Sequence, residues 1–173
     1  DYHFIGRTFA RAGYVVVLAG YRLVPDGVYP HMLEDGAKAV GWTANNIARF
    51  GGDPDHVVLM GHSAGAHTVV MLGLERQWLG REGLPDGYVK GVIGLSGPYD
   101  FYPFTSDSAR VAFGQVKDPA QTQPITFTRG DAPPMLLLTG DADTTVKPRN
   151  SRVLAKAITD RGGQAVLVIL PGV

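Results

Sequence analysis

At 173 residues the chain suits one domain and carries enough apolar content to bury a core. Lys plus Arg (16) equals Asp plus Glu (16), so no long-range basic field exists to draw in nucleic acid or an anionic membrane surface. The absence of cysteine excludes disulfides, thiolate chemistry and Cys-ligated zinc, and leaves the compartment open.

In chain order, Tyr2, Ile5, Phe9 and Ala12 recur three or four apart and stop at Gly13, which predicts a short amphipathic helix. Tyr14 to Ala19 is continuous and β-branched, the pattern of a strand buried on both faces of a parallel sheet. Like the other apolar runs it is strand-sized, far short of a membrane span. Pro25, Gly27 and Pro30 punctuate a loop, after which Leu33, Ala37, Val40, Ala44 and Ile47 mark a helix closed by Gly51-Gly52. Val57 to Met60 reads as a strand, Ala66 to Leu72 as a helix, Arg76 to Gly87 as a polar loop, and Val89 to Leu95 as another buried strand. Tyr99 to Pro134 is rich in Pro, Thr and aromatics with one short helix near Ser108 to Phe113, and connections of that length are usually functional. Met135 to Leu138 is a strand, Pro148 to Arg161 a helix, and Ala165 to Leu170 a final strand. Strands alternating with helices predict an α/β fold, a parallel sheet joined by right-handed crossovers.

Between the strand ending at Met60 and the helix that follows stands Gly61-His62-Ser63-Ala64-Gly65, a G-x-S-x-G turn. A nucleophile elbow needs that setting, because the serine sits on a strained strand-to-helix turn where side chains at the two glycines are expected to collide with neighbouring backbone. The Ala64 amide opens the helix, so its N–H and the positive end of the helix dipole aim at the place where an acyl oxyanion forms. The bland alternative is a glycine-rich turn with an ordinary serine, and the flanking strand and helix favour the elbow.

Directly after the Met135 strand comes Gly140-Asp141-Ala142-Asp143-Thr144-Thr145-Val146. In parallel α/β sheets functional groups gather at the carboxyl ends of strands, so Asp141 or Asp143 is placed to orient a histidine. An EF-hand starting at Asp141 would need glycine at its sixth position and glutamate at its twelfth, where Val146 and Arg152 stand. The chain has no G-x-G-x-x-G or Walker loop either, so neither a metal nor a nucleotide cofactor is expected. None of the five histidines follows Asp143, as the order nucleophile, acid, histidine requires. His62 and His67 flank the nucleophile and read as packing or hydrogen-bonded residues; His3, His31 and His56 read as surface or satisfied histidines.

Tyr21-Arg22-Leu23 with Pro25, the run Asn46 to Pro54 leading into the elbow, Ser96-Gly97-Pro98-Tyr99-Asp100 and Asp141 to Val146 together resemble an α/β-hydrolase of the carboxylesterase type. Nearest in pattern are the hormone-sensitive-lipase-like, feruloyl-esterase-like and kynurenine-formamidase-like groups. The resemblance implies a mostly parallel sheet flanked by helices, Ser63 as nucleophile, Asp143 as triad acid and the Ala64 amide as one oxyanion donor. His62, Tyr99, Phe101 and Tyr102 are the candidate pocket residues. Family members also carry a His-Gly-Gly-Gly-type loop after an earlier strand and a histidine after the last strand; neither is present here. The chain therefore reads as an internal piece of a longer protein, truncated at both ends, with the histidine expected just after Val173. The expected activity is cleavage of small carboxylic esters through an acyl-serine. An aryl-formamide hydrolase and a non-catalytic ligand-binding homologue are the alternatives. The expected partner is a small-molecule ester or amide, with no nucleic acid and no membrane span, and the oligomeric state is open.

Overall fold

Among the described residues four parallel strands form one sheet: β1 (Val57–His62), β2 (Val89–Leu95), β3 (Met135–Gly140) and β4 (Ala165–Leu170) lie side by side in chain order. The computed structural model describes residues 2–173. Helix α3 (Ala64–Leu74) crosses from β1 to β2 and packs on both, and α6 (Arg149–Thr159) joins β3 to β4 in the same way. When parallel strands add in sequential order, right-handed crossovers place every such helix on the same face of the sheet. α2 (His31–Asn46) packs on the outside of α3, which makes α3 the middle layer. That position explains why α3 buries Ala66, His67, Thr68, Val70, Met71, Leu72, Gly73 and Leu74, more than one stripe of its surface.

The outer strands of the sheet expose part of their apolar surface. β1 alternates between half-buried and exposed along its whole length, with Val58 54% exposed, and Val166 and Leu170 of β4 are exposed as well. β2, expected as a buried strand, exposes only Lys90, so the exposed apolar side chains belong to the outer strands β1 and β4.

The expected strand at Tyr14 to Ala19 does not form. These residues pair with no strand among the described residues, and Tyr14 is 65% exposed. A β-branched run supplies a preference, but a strand exists only where a neighbouring backbone completes the ladder. Instead the segment packs locally, with the Tyr14 ring edge-on to Phe9 of α1 (His3–Arg11). A second correction concerns the polar stretch after α3. Arg76–Arg81 is a short helix, α4, that buries Trp78 and Leu79. Six residues with two apolar side chains are too few for a helical period to be legible.

The remaining elements follow the sequence pattern closely. α6 buries Asn150, Ser151, Leu154, Ala155 and Ile158, one helical stripe, and ends before Gly162 at φ +82°. In the long connection before β3, α5 (Asp107–Phe113) is capped by the Ser106 hydroxyl, which accepts from the Ala109 N–H. Two 3₁₀ turns, Pro119–Thr122 and Pro124–Phe127, each open on a proline whose missing N–H costs nothing there.

Candidate active site

Ser63 sits between β1 and α3 with φ 53° and ψ −119°, a backbone conformation that costs a non-glycine residue about 1–3 kcal/mol. Three observations show how the turn is held there. The Ser63 N–H donates to the Leu95 carbonyl at 2.9 Å, prolonging the β1–β2 pairing, and the Ser63 carbonyl accepts the first helical bond from His67 at 3.1 Å. A Cβ on Gly61 would lie 2.3 Å from the Gly65 carbonyl oxygen and 2.7 Å from the Ala66 nitrogen, so only glycine lets the turn close. Gly65 differs, since a Cβ there would meet nothing within 4 Å. The expectation that both glycines avoid a collision therefore holds for Gly61 alone. The Ala64 amide is the first of α3 and has no intrahelical acceptor.

Asp143 follows β3 at the same carboxyl edge. The ladder runs His62 beside Leu95 and Leu95 beside Leu138, so the two candidate catalytic loops are two strand spacings apart, roughly 10 Å along the sheet. Asp143 Oδ1 accepts from the Thr145 and Val146 N–H groups, both at 2.9 Å. Asp141 is engaged otherwise: its carboxylate accepts from the Gly172 N–H at 2.7 Å, and its own N–H donates to the Leu170 carbonyl. Its bonds brace the end of β4, whereas those of Asp143 shape its own turn.

The histidines face elsewhere. His62 Nδ1 lies 3.0 Å from the Tyr2 hydroxyl, His31 Nδ1 3.2 Å from the Asp26 carbonyl, and His56 Nδ1 2.6 Å from Asp53. His67 Nε2–H donates to the Thr122 carbonyl at 2.8 Å, and complete burial lowers its pKa from 6.5 to about 4, so it is neutral. No group of three or more His, Cys, Asp or Glu side chains able to hold a metal ion occurs among the described residues. Among the described residues no helix is long and apolar enough to cross a membrane.

Of the expected pocket residues, Tyr99 is misplaced. It is 0% exposed, its ring filling the space that side chains at Gly94 and Gly97 would take, and so it is a core residue. Phe101 and Tyr102 do lie in a partly open aromatic group. Phe101, Phe104 and Phe113 have ring centroids 5.2–5.8 Å apart, and Tyr102 stands edge-on to Phe104 at 5.3 Å. The group rests on His67, whose ring lies 5.6 Å from Phe101 and 5.2 Å from Phe113. Sequence reasoning missed Phe113, because only the folded connection brings the end of α5 to this place.

Residues 1–158 match the sequence model of the family described as BD-FAE. The chain belongs to the BD-FAE family. Among curated relatives, this BD-FAE chain is 27% identical to isoprenylcysteine alpha-carbonyl methylesterase ICME of Arabidopsis thaliana, over 97% of its own length and 44% of that protein's. It is 28% identical to esterase LipQ of Mycobacterium tuberculosis (strain ATCC 25618 / H37Rv), over 89% of its length and 40% of that protein's. The chain thus spans less than half the length of these relatives. Among solved structures, the apo form of Thermogutta terrifontis esterase 2 superposes with a TM-score of 0.82 at 23% identity, covering 99% of this chain and 66% of that one. A truncated carbohydrate esterase from gut microbiota reaches 0.77 at 24% identity, covering 88% and 64%. The fold is that of the α/β-hydrolases.

Proposed function

We propose that this BD-FAE domain cleaves carboxylic esters through an acyl-serine on Ser63. The observation that carries the reading is the strained Ser63 at φ 53° beside the helix-opening Ala64 amide, a turn that Gly61 permits and that supports Ser63 as nucleophile and the Ala64 N–H as oxyanion donor. The names of the relatives, a methylesterase and an esterase, support the same reaction class.

In this reading a histidine takes the Ser63 proton as the hydroxyl oxygen attacks the ester carbonyl, and the Ala64 N–H shares the oxyanion that develops. The same imidazole then protonates the departing alcohol, and water hydrolyses the acyl-serine by the reverse sequence. Asp143, with Oδ1 held by Thr145 and Val146, would use its other oxygen to fix the imidazole tautomer and stabilise its charged form. In this reading the base is a histidine other than His67, whose Nε2–H is spent on the Thr122 carbonyl in a fully buried setting. The Val173 carbonyl accepts from the Ala142 N–H at 2.9 Å, which ties the chain after β4 to the Asp143 loop.

The test is hydrolysis of p-nitrophenyl acetate by the full-length protein and by its Ser63→Ala variant. Turnover that disappears with Ser63 is expected; turnover that survives the substitution would overturn the assignment. Esterase turnover by the 173 residues alone that depends on Ser63 would move the base to one of the five internal histidines.

A further inference from the structure

Two buried carboxamides hold four successive backbone N–H groups. Asn150 Oδ1 accepts from Tyr99 and Asp100, both at 2.9 Å, and Gln123 Oε1 accepts from Phe101 at 2.7 Å and Tyr102 at 3.1 Å. Gln123 is 4% exposed and Asn150 9%. An extended or turning segment with no ladder partner would leave such donors unpaired once buried, and each orphan is costly. Here a side chain from the connection and one from α6 take all four.

The clamp reaches both candidate catalytic loops. Gln123 Nε2 donates to the Thr122 hydroxyl at 2.6 Å, and the Thr122 carbonyl accepts from His67 Nε2–H at 2.8 Å, one turn along α3 from Ser63. On the other side Asn150 lies in the first turn of α6, just after the Asp143 loop, and donates to the Lys147 carbonyl at 3.3 Å. Arg149 adds an ion pair with Asp100 at 2.6 Å. The segment 99–102 is therefore tied to the nucleophile's helix at one end and to the acid's helix at the other. From this segment the ring of Phe101 meets His67, Phe104 and Phe113.

We propose that Gln123 and Asn150 are positioning residues that set substrate preference, by holding Phe101, Phe104 and Phe113 as a rigid aromatic wall for the flat or bulky part of an ester. The wall favours aryl esters over methyl acetate, because stacked and edge-on rings add to simple apolar burial. The polar chain behind it contains no group that reacts. It acts on the substrate only through the place of the rings, and this inference rests on the esterase reading.

The experiment compares methyl acetate, phenyl acetate and methyl benzoate in the full-length protein carrying Gln123→Met, a substitution of similar length that removes the acceptor for Phe101 and Tyr102. The KM for phenyl acetate or methyl benzoate should rise about tenfold, while kcat for methyl acetate changes less than about threefold. Phe104→Ala, at a half-buried ring with no hydrogen bond to lose, should raise the same KM. An unchanged aryl KM in both variants overturns the proposal, as does an equal fall in kcat on all three esters. A second readout separates this idea from the esterase reading. If the wild type shows no Ser63-dependent turnover of any ester, that reading fails, and amide hydrogen exchange then decides the clamp. The amides of residues 99–102 should exchange faster in Gln123→Met, and unchanged protection overturns it.

Discussion

The turn that carries Ser63 and the loop that carries Asp143 share one sheet edge, yet different forces hold them. At Ser63 the constraint is steric: a φ of 53° and a Gly61 with no room for a Cβ leave the backbone a single way to pass. At Asp143 the backbone is unstrained and hydrogen bonds do the work, from Thr145 and Val146 to the carboxylate and from Ala142 to the Val173 carbonyl. A steric lock fails at once when an atom is added. A hydrogen-bonded loop loses its geometry in steps, and it leans on the neighbouring chain.

The largest expected effect is at the nucleophile, where Ser63→Ala should lower kcat of the full-length protein by at least about 10⁴-fold with the melting temperature intact. At the acid, Asp143→Ala should cost roughly 10³-fold, whereas Asp141→Ala should cost less than about tenfold and lower the melting temperature by loosening the end of β4. Equal losses from the two substitutions would erase the distinction between the proposed triad acid and the brace. The steric claim is tested by a glycine pair. Gly61→Ala should destabilise by about 3 kcal/mol in denaturant titration, because the clash is with backbone that cannot step aside. Gly65→Ala, where a Cβ meets nothing, should change stability by less than about 0.5 kcal/mol.

pH offers a subtler way to separate the two regions. His67 is completely buried under the elbow helix and its pKa is lowered from 6.5 to about 4, so between those values the unfolded chain binds more protons than the folded one. The stabilisation from neutral His67 is complete above about pH 6.5 and is lost as the pH falls towards about 4, amounting to at most about 3 kcal/mol. Thermal melts from pH 7.5 to 4.5 should show this decline, and His67→Gln should flatten it. An equally steep decline in the variant would assign the pH dependence to other groups.

The backbone of the Ser63 turn was legible beforehand for a local reason. Gly61 to Gly65 between an apolar run and a helical run specifies the elbow, because the sterics that define it lie within five residues. The choice of Asp143 over Asp141 needed the resemblance, and the structure adds that Asp141 bonds to Gly172, thirty-one residues away. The pocket was read less well. Tyr99 and Phe101 are near neighbours with the same aromatic character, and only the open backbone at Gly94 and Gly97 draws Tyr99 into the core while Phe101 turns to His67.

By itself the amino-acid sequence determined the alternation of strands and helices, the elbow with its serine and helix-opening amide, and the acidic loop after β3, since periodicity and turn sterics act over a few neighbouring residues. Tertiary structure alone decided the rest. Tyr14 to Ala19 found no ladder partner and remained outside the sheet. Gln123, Asn150 and Phe113 came together around residues 99–102. Hydrogen-bond partners and burial are properties of distant segments meeting, and no local pattern encodes which of them meet.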